Sequence, residues 1–175
     1  MSPFSDQKLY HISEEAGIEH FAPRPGRDGN LRVWAISAQR IQNYFFPRDC
    51  PRICIWADKN TSAADLERLA NHNSIIAIER KWFERARDAK LFAYAFAPSA
   101  FSLEDLNAGY YTAATSQTPI EKLTIDDPLR QLNFLSTRLE VLEELHSFRQ
   151  TVSGSSFAYS MIRMRNAAPI PPTQI

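Results

Sequence analysis

The chain has 175 residues, and apolar residues make up 44% of it, which is enough for one domain with a sizeable hydrophobic core. Lysine plus arginine equals aspartate plus glutamate, 20 of each, which excludes binding to nucleic acid or membranes through an overall basic charge. The sequence shows no apolar signal segment and no run long enough to span a membrane, so we expect a soluble, cytoplasmic protein. The two cysteines, Cys50 and Cys54, are too few for a disulfide framework, and we expect reduced thiols with Cys54 in the core.

The hydrophobic pattern predicts alternating strands and helices along the chain. The first half is predicted to contain a strand at 8–13, a helical or turn segment at 14–21, a loop at 22–30, a strand at 31–36, a helix at 38–46 with Ser37 as N-cap, a strand at 52–57, a helix at 63–71 with Ser62 as N-cap, a strand at 75–79, a helix at 80–89 and a strand at 90–97. The second half is predicted to contain a capping box at 102–105, a strand at 108–114, a loop and then a helix after Pro128, either a strand at 137–142 or a helix at 140–149, and a last strand at 157–167.

These elements predict an α+β fold with a mixed or split β-sheet flanked by helices. We expect a single globular domain over residues 1–167 and a flexible tail over residues 168–175. The P-loop, the dinucleotide glycine motif, the G-x-S-x-G elbow and the H-E-x-x-H motif are all absent, and the four histidines have no metal-ligand spacing. We therefore predict no metal site.

A first candidate binding feature lies in the strand K-L-Y-H-I-S. Period-2 alternation places His11 and Ser13 on one face, where both can hydrogen-bond the ribose hydroxyls of a nucleotide. The alternative is a core histidine whose ring is satisfied by a backbone carbonyl.

A second candidate is the decapeptide N-Y-F-F-P-R-D-C-P-R, in which Pro47 ends a helix and a strand begins soon afterwards. Arg48 in this junction can bind a phosphate or carboxylate through its guanidinium, and Arg52 can contribute to the same patch. The alternative is a structural ion pair in which Asp49 neutralises Arg48 or Arg52.

Two further pairs of residues support binding of an anionic, aromatic ligand. Arg163 and Arg165 share one face of the last predicted strand, where they form either an anion site or a solvated surface. Tyr110 and Tyr111 follow Gly109, and one of them can stack on a base or a nicotinamide-like ring while the other packs inward.

Two resemblances extend these interpretations. The blocks L-Y-H-I-S-E, F-A-P-R-P, V-W-A-I, Y-F-F-P-R-D-C-P-R, A-G-Y-Y and I-R-M-R-N-A look like the signature of an uncharacterised bacterial family of small single-domain proteins. L-Y-H-I followed by Y-F-x-x-R is also similar to the DarT-like DNA ADP-ribosyltransferases, although the order Arg48, Asp49, Cys50, Pro51 departs from the Arg-x-Pro-Met of that family.

The second resemblance implies an ADP-ribosyltransferase-like fold that uses NAD as cofactor. It implies that His11 holds the NAD ribose, that Arg48 orients NAD, and that a late carboxylate, Glu140 or Glu143, acts in catalysis. The acceptor of ADP-ribose would be a nucleic acid or a protein. The alternative hypothesis is a nucleotide-binding or protein-interaction module without catalysis.

Overall fold

The structure is a computed structural model that describes residues 3–26 and 28–170. Its internal contacts divide the chain into two compact units, Met1–Arg48 with Ala89–Pro128, and Asp49–Asp88 with Leu129–Ile175. Each unit contains one β-sheet, so the fold is a mixed α+β fold with two sheets, which confirms the predicted fold class. The single domain over residues 1–167 stays a prediction.

The elements within the described residues are as follows. The strands are β1 (Leu9–Ser13), β2 (Arg24–Pro25), β3 (Leu31–Ser37), β4 (Arg52–Trp56), β5 (Ser74–Glu79), β6 (Leu91–Phe96), β7 (Ser102–Asp105), β8 (Tyr110–Ala113), β9 (Glu121–Ile125), β10 (Thr137–Leu142) and β11 (Ala158–Ile162). The α-helices are α1 (Ala63–Arg68), α2 (Arg80–Arg87), α3 (Pro128–Phe134) and α4 (His146–Ser153), and 3₁₀ helices cover Ala38–Tyr44, Pro98–Ala100 and Met164–Asn166. None of the helices described is long and apolar enough to cross a lipid bilayer.

The first unit contains an antiparallel sheet with the strand order β7-β8-β3-β1-β6-β9. The short strand β2 also belongs to this sheet and pairs with β3. Alternate side chains from these strands, together with Phe21, form the core on one face of the sheet because successive residues of a strand point to opposite faces. That core cluster consists of Leu9, Phe21, Val33, Ala35, Phe92, Tyr94, Phe96 and Ala113.

The pairing between β1 and β3 is short, and this feature positions the candidate site. The two strands pair only at Leu9↔Ser37 and Tyr10↔Ile36, whereas β1 continues to pair with β6 as far as Ser13. Beyond Tyr10, β1 and β3 therefore part within the sheet.

The second unit has a sheet with the order β10-β5-β4-β11, in which β5 and β10 are parallel and the other pairs are antiparallel. Every residue of β4 and β5 is buried, as the continuous apolar runs of both strands predict. Ser62 caps α1 by accepting a hydrogen bond from the backbone N–H of Asp65 at 3.2 Å, which confirms the predicted N-cap. Cys54 is fully buried, as predicted.

Two sequence predictions about the first unit are wrong, and a third is correct in only one of its alternatives. The proposed capping box at Ser102–Asp105 is strand β7, because these residues pair with β8 at the edge of the sheet. Of the two alternatives for the segment 14–21, the turn is the one observed: the segment contains bends and no helix, and Phe21 forms an isolated bridge with Gln117. Strand β9 lies in a stretch predicted as loop, since its mostly polar residues fit an exposed edge strand paired with β6.

The last strand is shorter than predicted, and the proposed face of two arginines is wrong. Strand β11 ends at Ile162, since Arg163 adopts the left-handed conformation with φ 54° and ψ 29° and leads into the 3₁₀ helix Met164–Asn166. The Asn166 side chain donates a hydrogen bond to the Asp49 carbonyl at 2.7 Å and holds this turn in place. Arg163 and Arg165 therefore do not share a strand face.

Part of the segment predicted as a flexible tail is anchored by hydrogen bonds. The backbone N–H of Ala168 donates to Glu79 Oε1 at 2.7 Å, and its carbonyl accepts from His146 Nε2 at 2.6 Å. The carboxylate of Glu79 is fully buried, and Lys81 Nζ lies 3.0 Å from its Oε2. Residues 171–175 of the proposed tail lie outside the described residues.

Candidate functional site

A pocket of about 160 Å³ opens in the first unit where β1 and β3 part. Three consecutive residues of each strand line it, together with one tyrosine from the 3₁₀ helix and one from β8. The lining residues are Tyr10, His11, Ile12, Trp34, Ala35, Ile36, Tyr44 and Tyr110. The lining is apolar and aromatic with a few polar atoms, which is the usual composition of a small-molecule site.

His11 bridges the gap between the two strands. Its Nδ1 lies 3.0 Å from the backbone carbonyl oxygen of Trp34, and its ring centroid lies 4.9 Å from that of Phe21. Because a carbonyl only accepts, Nδ1 carries the proton and donates, and Nε2 is an acceptor in the neutral ring. Nε2 forms no hydrogen bond to another described residue, and the contact of Nδ1 with a backbone carbonyl is the one that the core-histidine alternative predicts.

The pKa of His11 is lower than the usual value of a histidine. Burial of the imidazole is the largest cause, and the positive charges of Arg48 and Arg24 lower the pKa further, while the hydrogen bond to the Trp34 carbonyl opposes them. The ring is therefore neutral at pH 7, and its Nε2 is an acceptor rather than a donor under these conditions.

Aromatic side chains form one wall of the pocket. Trp34 and Tyr110 pack edge to face, with ring centroids 6.0 Å apart and an interplanar angle of 89°. The hydroxyl of Tyr44 donates to that of Tyr110 at 3.1 Å. Gly109, the residue before Tyr110, has a φ of 70°. A Cβ at that position would clash with the Ser37 hydroxyl, so the turn requires glycine.

The two adjacent tyrosines lie on opposite faces of β8. Tyr110 lines the pocket, whereas Tyr111 packs against the core cluster of the first unit. The inward packing of one tyrosine is confirmed, and stacking of the other on a ligand ring stays a prediction. Ser13 is not among the pocket residues, and its hydroxyl accepts a hydrogen bond from the Glu15 backbone N–H at 3.1 Å in the turn after β1.

Arg48 is exposed at the end of the first unit's N-terminal segment, and its backbone N–H donates to Glu14 Oε2 at 3.0 Å. None of the ion pairs among the described residues includes Arg48 or Asp49, so the predicted alternative of an Asp49 ion pair is wrong. Arg24, on β2, is a second exposed arginine whose charge acts on His11. Two guanidinium groups are thus close enough to the pocket to act on its histidine.

The other predicted site residues belong to the second unit. Arg52 is only 2% exposed, and its Nη1 donates to the Cys50 carbonyl at 2.8 Å, so it stabilises the interior of that unit. Glu140 on β10 accepts from Arg138 Nη2 at 2.8 Å, and Glu143 forms an exposed ion pair with Arg80. Both proposed catalytic carboxylates are therefore paired with arginines.

The sequence predictions assigned only His11 and Tyr110 of the pocket lining; the residues missed include two aromatic ones, Trp34 and Tyr44, and Arg24 outside the lining was missed as well. Trp34 could have been recognised from the sequence. It alternates with Val33 and Ala35, which are buried in the core, so its side chain lies on the opposite face of β3, where it is partly exposed. Tyr44 falls within the predicted helix 38–46 and Arg24 within the predicted loop 22–30, and neither position has a local pattern that indicates a binding site. Across the part of the chain that the structure describes, no group of three His, Cys, Asp or Glu side chains is placed to hold a metal ion.

Comparison with known proteins identifies a family. Residues 10–167 match the model of a family of unknown function, DUF6886, and the chain belongs to that family. This match confirms the resemblance to an uncharacterised family. No curated protein and no solved structure matches the chain, so the comparisons give no support to the resemblance to DarT-like enzymes.

Proposed function

We propose that the first unit binds NAD or a related nucleotide in the pocket between β1 and β3, as an ADP-ribosyltransferase-like domain does. The size and lining of the pocket carry this proposal. A cavity of about 150 Å³ holds a benzene molecule, so the 160 Å³ found here suits one aromatic ring such as nicotinamide. Trp34 and Tyr110 offer aromatic surfaces to that ring.

The charges around the pocket support a phosphorylated ligand. Arg48 and Arg24 are exposed and take part in none of the ion pairs among the described residues, so their guanidinium groups can bind the two phosphates of a dinucleotide. The neutral His11 supplies an acceptor for a ribose hydroxyl or for the carboxamide N–H of nicotinamide.

The proposed reaction is transfer of ADP-ribose to a nucleic acid or protein acceptor. The bond between the nicotinamide nitrogen and ribose C1′ breaks, and nicotinamide leaves with the bonding electron pair. The acceptor nucleophile forms a bond to C1′ and loses its proton to a base. A carboxylate is needed to stabilise the positive charge that develops on the ribose; Glu140 or Glu143 is the sequence-based proposal for this role, and both belong to the second unit.

A second candidate function is nucleotide binding without catalysis. It is favoured by the ion pairs that Glu140 and Glu143 form with Arg138 and Arg80, since a carboxylate already paired with an arginine stabilises a developing cation less effectively.

Calorimetric titration with NAD tests binding. Wild-type protein is expected to bind NAD, and the double variant His11→Ala/Arg48→Ala is expected to bind at least about tenfold more weakly, since one charged hydrogen bond contributes about 1.5–3 kcal/mol. Arg149→Ala removes an exposed arginine of α4 and serves as the matched control, with unchanged affinity expected. Undiminished binding in the double variant would contradict the proposal.

Release of nicotinamide from NAD distinguishes the two candidates. Transferase activity predicts time-dependent nicotinamide release in wild-type protein and a loss of that release in Glu140→Gln or Glu143→Gln, with NAD affinity retained. Tight NAD binding without any nicotinamide release, in the presence of DNA, RNA and protein acceptors, would establish the non-catalytic alternative.

A further inference from the structure

Glu14 connects the loop that carries Arg48 to the strand that carries His11. Its Oε2 accepts a hydrogen bond from the Arg48 backbone N–H at 3.0 Å across 34 positions of sequence. Glu14 directly follows the last residue of β1, and the Ser13 hydroxyl fixes the turn there by accepting the Glu15 N–H at 3.1 Å. The carboxylate thus comes from a locally ordered turn at the end of the strand that lines the pocket.

Besides Glu14, the side chain of Asn166 contacts the Arg48 loop, since it donates to the carbonyl of Asp49, the residue after Arg48, at 2.7 Å. Arg48 lies outside any helix or strand, and the preceding Pro47 has no backbone N–H to donate. Among the described residues, the Arg48 side chain has no ion-pair and no hydrogen-bond partner. Its position relative to His11 therefore depends on the backbone, which Glu14 holds at the Arg48 N–H and Asn166 holds at the next carbonyl.

We propose that Glu14 is a positioning residue that keeps the Arg48 guanidinium beside the pocket, where it meets the anionic part of the ligand. The role in ligand binding rests on the proposed function, whereas the geometric role does not. The charged groups that act on His11 are Arg48 and Arg24, and the Trp34 carbonyl and the Phe21 ring complete its surroundings.

An NMR titration of the His11 imidazole tests the geometric role in the absence of ligand. Arg48→Ala is expected to raise the pKa of His11, because it removes one of the positive charges that lower it. Glu14→Ala is expected to reproduce most of that rise, because Arg48 then moves away from the imidazole. Glu14→Gln keeps a side-chain acceptor for the Arg48 N–H and is expected to leave the pKa near the wild-type value.

The sign of the change separates this mechanism from a simple charge effect. Loss of a negative charge near an imidazole lowers the pKa, whereas loss of the Arg48 charge raises it. In the double variant Glu14→Ala/Arg48→Ala, the pKa of His11 is expected to equal that of Arg48→Ala alone, since the Arg48 charge is already absent.

NAD affinity gives the second readout on the same variants. Glu14→Ala is expected to weaken NAD binding about as much as Arg48→Ala does, and Glu14→Gln is expected to restore it. If wild-type protein does not bind NAD, the proposed function fails while the His11 titration still decides the geometric role. A pKa of His11 that is unchanged or lowered in Glu14→Ala, with Arg48→Ala raising it, would overturn the positioning role.

Discussion

Replacing His11 with asparagine is expected to change how the stability of the protein depends on pH. The pKa of His11 is lowered in the folded protein, chiefly by burial, whereas in the unfolded chain an imidazole titrates near pH 6.5. As the pH falls below 6.5, the unfolded chain binds a proton that the folded chain does not, so the free energy of unfolding decreases. The loss continues until the pH reaches the folded-state pKa.

The change in the free energy of unfolding is limited in size because only one proton, that of His11, is involved. A single group that is protonated only in the unfolded state changes the free energy of unfolding by at most about 1.4 kcal/mol per pH unit. Asparagine at position 11 can still donate to the Trp34 carbonyl from a position close to that of Nδ1, but it does not titrate. The variant is therefore expected to lose less stability than wild type between pH 6.5 and pH 5.5.

Urea unfolding of both proteins at pH 7.0, 6.5, 6.0 and 5.5, followed by tryptophan fluorescence, measures this difference. Subtraction of the two pH profiles removes the contribution of every group that the proteins share. Parallel profiles would refute the reasoning, because they would mean that His11 takes up its proton equally in the folded and unfolded states.

Three further predictions concern the second unit. Burial raises the pKa of Cys50 and of Cys54 to about 12, so neither thiol should react with Ellman's reagent at pH 8 until urea is added, and rapid labelling of native protein would contradict this. Ala168→Pro removes the N–H that binds the buried Glu79 carboxylate, and in urea unfolding it should cost about 1.5–3 kcal/mol, whereas Ala168→Gly keeps the N–H and should cost much less; equal losses would contradict the contact. Ser62→Ala removes the N-cap of α1 and should cost about 1 kcal/mol, with Ser62→Thr closer to wild type; no loss in Ser62→Ala would show that the cap contributes nothing.

Strands with strong apolar patterns were predictable because their own residues determine their burial. The run I-I-A-I-E becomes the fully buried β5, and L-Y-H-I-S becomes β1 in the middle of its sheet. Strand β9 was not predictable, since E-K-L-T-I gains its strand structure from pairing with the buried β6. The end of β11 depends in the same way on a distant contact, the hydrogen bond from Asn166 to the Asp49 carbonyl.

The candidate site was predictable only in part. His11 and Tyr110 were identified from local sequence, and both line the same pocket. The pocket itself arises because β1 and β3 stop pairing after Tyr10↔Ile36, and no local pattern in either strand specifies where two strands part. Arg52 was assigned to an open patch because sequence cannot show that its guanidinium lies inside the protein against the Cys50 carbonyl.

Chemical-shift mapping of NAD on isotopically labelled protein tests the central claim, that the pocket between β1 and β3 binds a nucleotide. We expect the largest changes at the His11 imidazole, the Trp34 indole N–H and the Tyr110 backbone, with a further change at Arg48. Nicotinamide alone is expected to shift the pocket resonances but not that of Arg48. An absence of shifts at millimolar NAD, or shifts confined to the second unit, would contradict the claim.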